Sequence, residues 1–136
     1  MILRIVPTVR HAMALALIAA IDAGTGPAYF EFYTGGMTED VGDAVTAQVK
    51  LGTLVCGDPS ATDTDGTITF APVTQDSGAD ASGTAAWVVL KDGDGNVVLD
   101  GDVTSMAGTG FARINTTTIV EGGPIAATGV VITIGG

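Results

Sequence analysis

Hydrophobic positions alternate along most of this chain, and the clearest case is TAAWVVLKDGDGNVVLDGDV, Thr84 to Val103. Ala85, Trp87 and Val89 alternate with Ala86, Val88 and Leu90, and the β-branched run Val97-Val98-Leu99 returns after Asp92-Gly93-Asp94-Gly95. That pattern predicts a β-hairpin closed by Asp-Gly turn chemistry, in which glycine supplies the positive φ of a tight turn. Both faces of its first strand are apolar, so the strand belongs inside a sheet covered on both sides, with Trp87 as the largest core residue.

The same period recurs elsewhere. In Ala28 to Thr34, Tyr29, Glu31 and Tyr33 alternate with Phe30 and Phe32, the signature of a strand with one core face, ended by Gly35-Gly36. Met37 to Val45 reads as an acidic loop, and Thr46 to Cys56 as a strand with Gly52 as a bulge. Asp58 to Gly66 is expected as loop, Thr67 to Ala71 as a short strand stopped by Pro72, and Gln75 to Gly83 as a surface loop. After the loop Thr104 to Gly110, Arg113 to Val120 and Ile125 to Ile134 are expected to form a second hairpin across Glu121-Gly122-Gly123-Pro124.

The exception opens the chain. Pro7 or Thr8 suits the first turn of a helix, and Gly24 is expected as its left-handed terminator, giving a span of about Thr8 to Ala23. Val9, Met13, Leu17 and Ile21 form one stripe while Leu15 and Ile18 lie off it, so the helix is apolar nearly all round. A single sheet does not cover such a helix, which makes Val9, Met13, Leu15, Leu17, Ile18 and Ile21 the candidate interface residues. The opening also has the layout of a secretory signal, basic residues before an apolar run. A structured helix is the preferred reading, because Ile2, Leu3, Ile5 and Val6 make the front apolar and Asp22 stands where cleavage would fall. The ten apolar residues Ala12 to Ile21 are too few to span a bilayer.

These elements predict a mainly β fold, an antiparallel two-sheet sandwich or jelly roll of about seven to nine strands with one N-terminal helix. The 136 residues are expected as a single domain, 1–26 the arm and helix and 27–136 the sandwich. Composition agrees, with 20 glycines for tight turns and only 5% aromatic residues. Charge narrows the partners: 15 acidic against 5 basic residues give a formal net charge of −10, which disfavours nucleic acid and anionic membranes.

Candidate chemistry is sparse. Asp92, Asp94 and Asn96 occupy the first, third and fifth positions of a calcium loop, but Val97 and Val103 replace its glycine and its glutamate, so a hairpin turn is the expectation. His11 is the single histidine and Cys56 the single cysteine, which leaves a triad or zinc site without its other members. Cys56 is expected as a small buried hydrophobe. Asn115-Thr116-Thr117 fits a glycosylation sequon and is read as part of a threonine-rich strand. The expectation is a protein with no catalytic residues, cofactor or metal.

The series Ile21-Asp22-Ala23-Gly24, Phe32-Tyr33-Thr34-Gly35, Leu51-Gly52-Thr53-Leu54, Asp58-Pro59, Ala81 to Trp87, Asp100 to Val103 and Ile114-Asn115-Thr116-Thr117 through Gly122-Gly123-Pro124-Ile125 resembles a family of small tailed-bacteriophage virion proteins. The resemblance covers nearly the whole chain, in order and spacing. It implies a structural protein of the virion, with capsid decoration (cement) as the favoured role and a tail or head-tail connector component as the runner-up. It also implies partners among other virion proteins, chiefly the major capsid protein, and a homo-oligomer. A carbohydrate-binding sandwich is a further alternative from another class, and it would need exposed aromatics for stacking on sugars.

Overall fold

The computed structural model describes residues 1–134. One helix, α1 (Pro7–Ile21), precedes ten strands among the described residues. The first five are β1 (Tyr29–Tyr33), β2 (Lys50–Val55), β3 (Ala61–Thr64), β4 (Thr67–Phe70) and β5 (Gly83–Thr84). The rest are β6 (Trp87–Lys91), β7 (Val97–Ser105), β8 (Ala112–Ile114), β9 (Thr118–Ile119) and β10 (Val131–Thr133). The fold is mainly β with one N-terminal helix, as the hydrophobic pattern implied.

The strands form three sheets: a five-stranded one in the order β2-β1-β6-β7-β8, a three-stranded one in the order β10-β4-β3, and the pair β5-β9. β6 lies at the centre of the large sheet, antiparallel to β1 and β7. Its double-faced apolar sequence accounts for that position. Val88 and Leu90 enter the main core with Phe30, Phe32, Leu54, Ile68 and Phe70, while Trp87 and Val89 face the other way and pack with Tyr33 and Val45. Trp87 is 2% exposed and donates its Nε1–H to the Thr34 carbonyl oxygen at 3.1 Å, and its ring stacks on Tyr33 at 5.1 Å. An aromatic that satisfies its polar atom in this way gives up water at little cost.

The bulge expected near Gly52 is present: Phe32 pairs with Gly52 but Tyr33 with Lys50, so Leu51 is the extra residue. A Cβ on Gly52 would stand 2.6 Å from the Asp76 carboxylate, which accepts the Thr53 N–H at 3.0 Å. Glycine is therefore required there by close approach.

Four expectations need correction. Asp58 to Gly66 is not all loop, because Ala61–Thr64 pairs antiparallel with β4 through a turn in which Asp65 (φ 52) and Gly66 (φ 94) are both left-handed. The final hairpin does not form: β8 pairs with β7, β9 with β5, and β10 with β4, leaving a single antiparallel bridge between Ile114 and Ala127. Nor are the sheets wholly antiparallel, since β7 and β8 run parallel. Finally, α1 ends at Ile21 with Asp22 as cap rather than on a left-handed Gly24. Gly24 serves a different purpose, as a Cβ there would meet the Gly93 backbone at 2.5 Å, so the chain leaving the helix crosses the β6–β7 turn backbone to backbone.

α1 is part of the same core. Ala14 and Ile21 are fully buried, and Leu17 and Ile18 pack against the core cluster from partly buried positions. Its polar residues clamp it to the β3–β4 hairpin: the Arg10 Nε–H donates to the Asp65 carbonyl oxygen at 3.1 Å, and His11 Nδ1 pairs with the Asp63 carboxylate. At the other end, Asp22 accepts the Ser60 N–H.

Candidate functional site

Two surfaces combine exposure with unusual chemistry, and they lie on opposite sides of the large sheet. The first is the outward side of α1 with the arm before it. Of the residues expected at an interface, Val9, Met13 and Leu15 are exposed, the last two at 43% and 49%. Leu17 and Ile18 are partly buried, and Ile21, at 0%, lies inside the chain's own core and is unavailable to another subunit. The helical stripe Val9, Met13, Leu17, Ile21 therefore runs from solvent to core. Each four-residue step turns by about 40°, so Val9 and Ile21 stand about 120° apart around the axis. The inward face instead follows Ala14, Leu17, Ile18 and Ile21. Ile2, Leu3 and Val6 extend the exposed apolar surface beyond the helix, with Ile2 92% exposed.

The second surface is a recess of about 250 Å3 on the outer face of the large sheet. Tyr33, Trp87 and Val89 line it from β1 and β6, Val97 and Asp100 from β7, and Thr38, Asp43 and Val45 from the connection between β1 and β2. The sequence predicts only an acidic loop for that connection. The signal missed was the apolar outer face of β6, which requires a cover, and Val45, the apolar residue in the loop that supplies part of it.

Beside the recess lies a buried charge cluster. Glu31 is 8% exposed, with Lys91 Nζ at 2.6 Å, Lys50 Nζ at 3.6 Å and the Tyr33 hydroxyl donating to it at 3.1 Å. Burial pushes the Glu31 carboxyl up, but the hydrogen bond and charge of Lys91, helped by Tyr33 and Lys50, outweigh it and hold the group below its ordinary 4.5. Burial and the Glu31 charge push the Tyr33 phenol up to about 12. The arrangement is a satisfied ion pair that fixes the strand face. The aromatic rings beside it, Trp87 and Tyr33, are too buried to serve as a stacking platform for sugars.

The Asp92 to Asn96 turn spends its oxygens on itself. Asp92 Oδ1 accepts the N–H groups of Asp94 and Asn96, both at 2.9 Å, and the Asn96 side-chain amide donates to Asp92 Oδ2 at 3.1 Å. The Asn96 backbone and side-chain donors keep Asp92 below its ordinary 3.8. Asp94 accepts from the Thr25 hydroxyl at 2.8 Å, tying the turn to the segment after α1. Among the described residues no three His, Cys, Asp or Glu side chains converge as a metal site. Burial, with Asp22 second, pushes the Cys56 thiol up to about 12, which leaves it unreactive at neutral pH. Among the described residues no helix is long and apolar enough to cross a membrane.

Comparison with protein-family models, with curated proteins and with solved structures finds no match to this chain.

Proposed function

We propose that this chain is a non-catalytic structural protein of a tailed-phage particle, a capsid decoration (cement) protein that holds neighbouring shell subunits together. On this reading the five- and three-stranded sheets are the layers of a sandwich, and the protein works at the virion surface on the major capsid protein. The observation that carries the reading is the outward side of α1. Val9 and Met13 on one edge and Leu15 on the other flank an exposed outward face of small apolar residues, Ala12, Ala16 and Ala19, on a helix whose opposite side is fixed in the core. A helix held rigidly in this way loses little entropy on docking. At about 25 cal/mol per Å2 of apolar area, several hundred Å2 covered per copy contributes several kcal/mol before ordering costs, and repetition over a shell multiplies it. The acidic loops then face solvent or a basic patch of the shell and act on orientation and on-rate.

The test adds protein back to particles lacking it. Met13→Asp and Leu15→Asp leave Ala14 and Ile21 in place, so the variants are expected to fold as the parent does and to lose both shell binding and protection of the shell against heat. Undiminished binding by folded variants would show that α1 is not the anchor. Co-purification with tails, and none with shells, would assign the protein to the tail or connector instead.

A further inference from the structure

We infer that the recess on the outer face of the large sheet is a docking site for the N-terminal arm of a second copy of this chain, with Arg4 entering it. The recess has an apolar floor of Tyr33, Trp87 and Val89, and two carboxylates, Asp43 and Asp100, among its lining. Neither carboxylate has a cationic partner among the described residues, and Asp43 commits one oxygen to the Asp40 N–H at 3.0 Å. Lys91 also lines the recess, but its ammonium is held by Glu31 at 2.6 Å. An occupant of this chemistry needs an aliphatic stem and a cationic head.

The arm has both. Arg4 is one of only five basic residues in a chain of net charge −10, it is exposed, and it forms no ion pair or hydrogen bond among the described residues. It is flanked by exposed Ile2 and Leu3 on one side and by Ile5 and exposed Val6 on the other. A guanidinium donates in several directions and bonds two carboxylates at once, while its methylenes fill the recess between them.

The arm of the same chain lies away from the recess. α1 packs into the main core, on the face of β1 and β6 opposite the recess. The segment leaving α1 lies by Gly93, near Gly95 of the recess, whereas Arg10, toward the other end of this 15-residue helix of roughly 20 Å, is bonded to Asp65 in the β3–β4 turn. Arm and recess are different surfaces, so the contact closes as a two-fold dimer that exchanges arms or, head to tail, as a ring. The inference does not depend on the proposed function and uses residues distinct from the exposed residues of α1.

Sedimentation of the purified full chain over a wide concentration range tests it. The parent is expected to self-associate, less so at high salt. Arg4→Glu alone and Asp43→Lys with Asp100→Lys alone should each associate at least about tenfold more weakly, as loss of a partly buried charge pair implies. Mixing the two variants pairs parent arm with parent recess and reversed arm with reversed recess, so association should return. Leu15→Asp should associate like the parent. A monomeric parent, an Arg4→Glu protein that associates like the parent, or a folded mixture that stays monomeric would each overturn the inference. Arg4 lies outside the core, so its variant decides the matter even if the recess variant fails to fold.

Discussion

The helix α1 and the strand β6 are both apolar nearly all round, and the fold treats them in opposite ways. β6 finds cover on both faces within the chain: the main core on one, and Tyr33 with the β1–β2 connection on the other. α1 finds cover on one side only, and its Val9, Met13 and Leu15 face solvent. The same hydrophobicity is thus a core in one place and an unfilled contact in the other. What separates them is neighbours, because a central strand is flanked by the connections of its own sheet whereas a helix laid on the outside of a domain has one side to offer.

Substitutions should divide along that line, and the largest effect belongs to β6. Trp87→Ala is expected to cost about 3–5 kcal/mol in chemical denaturation, as truncations of buried aromatics do. Native tryptophan emission should be blue-shifted, and a water-like maximum would remove the hairpin from the core. Next comes the crossing of α1's exit with the hairpin turn. A Cβ on Gly93 falls inside van der Waals distance of the Gly26 backbone, so Gly93→Ala should cost roughly 1–3 kcal/mol by overpacking, read as a lower Tm.

The charge cluster on β6's outer side gives an intermediate, pH-dependent effect. Glu31 has a folded value below its ordinary 4.5, so its contribution to stability is present above that pH and is lost as pH falls through the folded value. Melts against pH should therefore show stability declining below about 4.5, and Lys91→Met should narrow that acid-dependent loss by removing the largest lowering influence on Glu31. A decline of the same size in the parent and in Lys91→Met would show that Lys91 does not hold Glu31 charged. The smallest effect is expected on α1, where Met13→Asp and Leu15→Asp should shift stability within about 0.5 kcal/mol despite their large change in polarity. A loss comparable to Trp87→Ala would mean that the helix face is core after all.

Much of this contrast was readable from the residues. Strict alternation placed β1 and the β6–β7 hairpin, and Pro7 marked the start of α1, because each of these signals is local. Where structure depends on distant partners the sequence was silent. β3 carries Ala-Thr-Asp-Thr, with no apolar alternation to announce an edge strand, and it is a strand because β4 lies beside it. Ile119 and Val131 sit in segments as β-prone as any hairpin, yet their strands pair with β5 and β4 far back in the chain. The candidate interface was half legible: the residues around α1 were identified, but which of them face out depends on the rotation of the helix, set by Ala14 and Ile21 against the core. The recess was not legible, since a loop named for its acids conceals what it covers.

Methionine oxidation followed by mass spectrometry distinguishes a helix face covered by a neighbour from one left free. Met13 on α1 and Met106 in the turn after β7 are exposed almost equally, at 43% and 45%. In the free protein both should oxidise at comparable rates. In assembled particles Met13 should be protected while Met106 continues to react, because the helix face is covered by a neighbour and the loop is not. Equal oxidation of Met13 and Met106 in the particle would contradict the account.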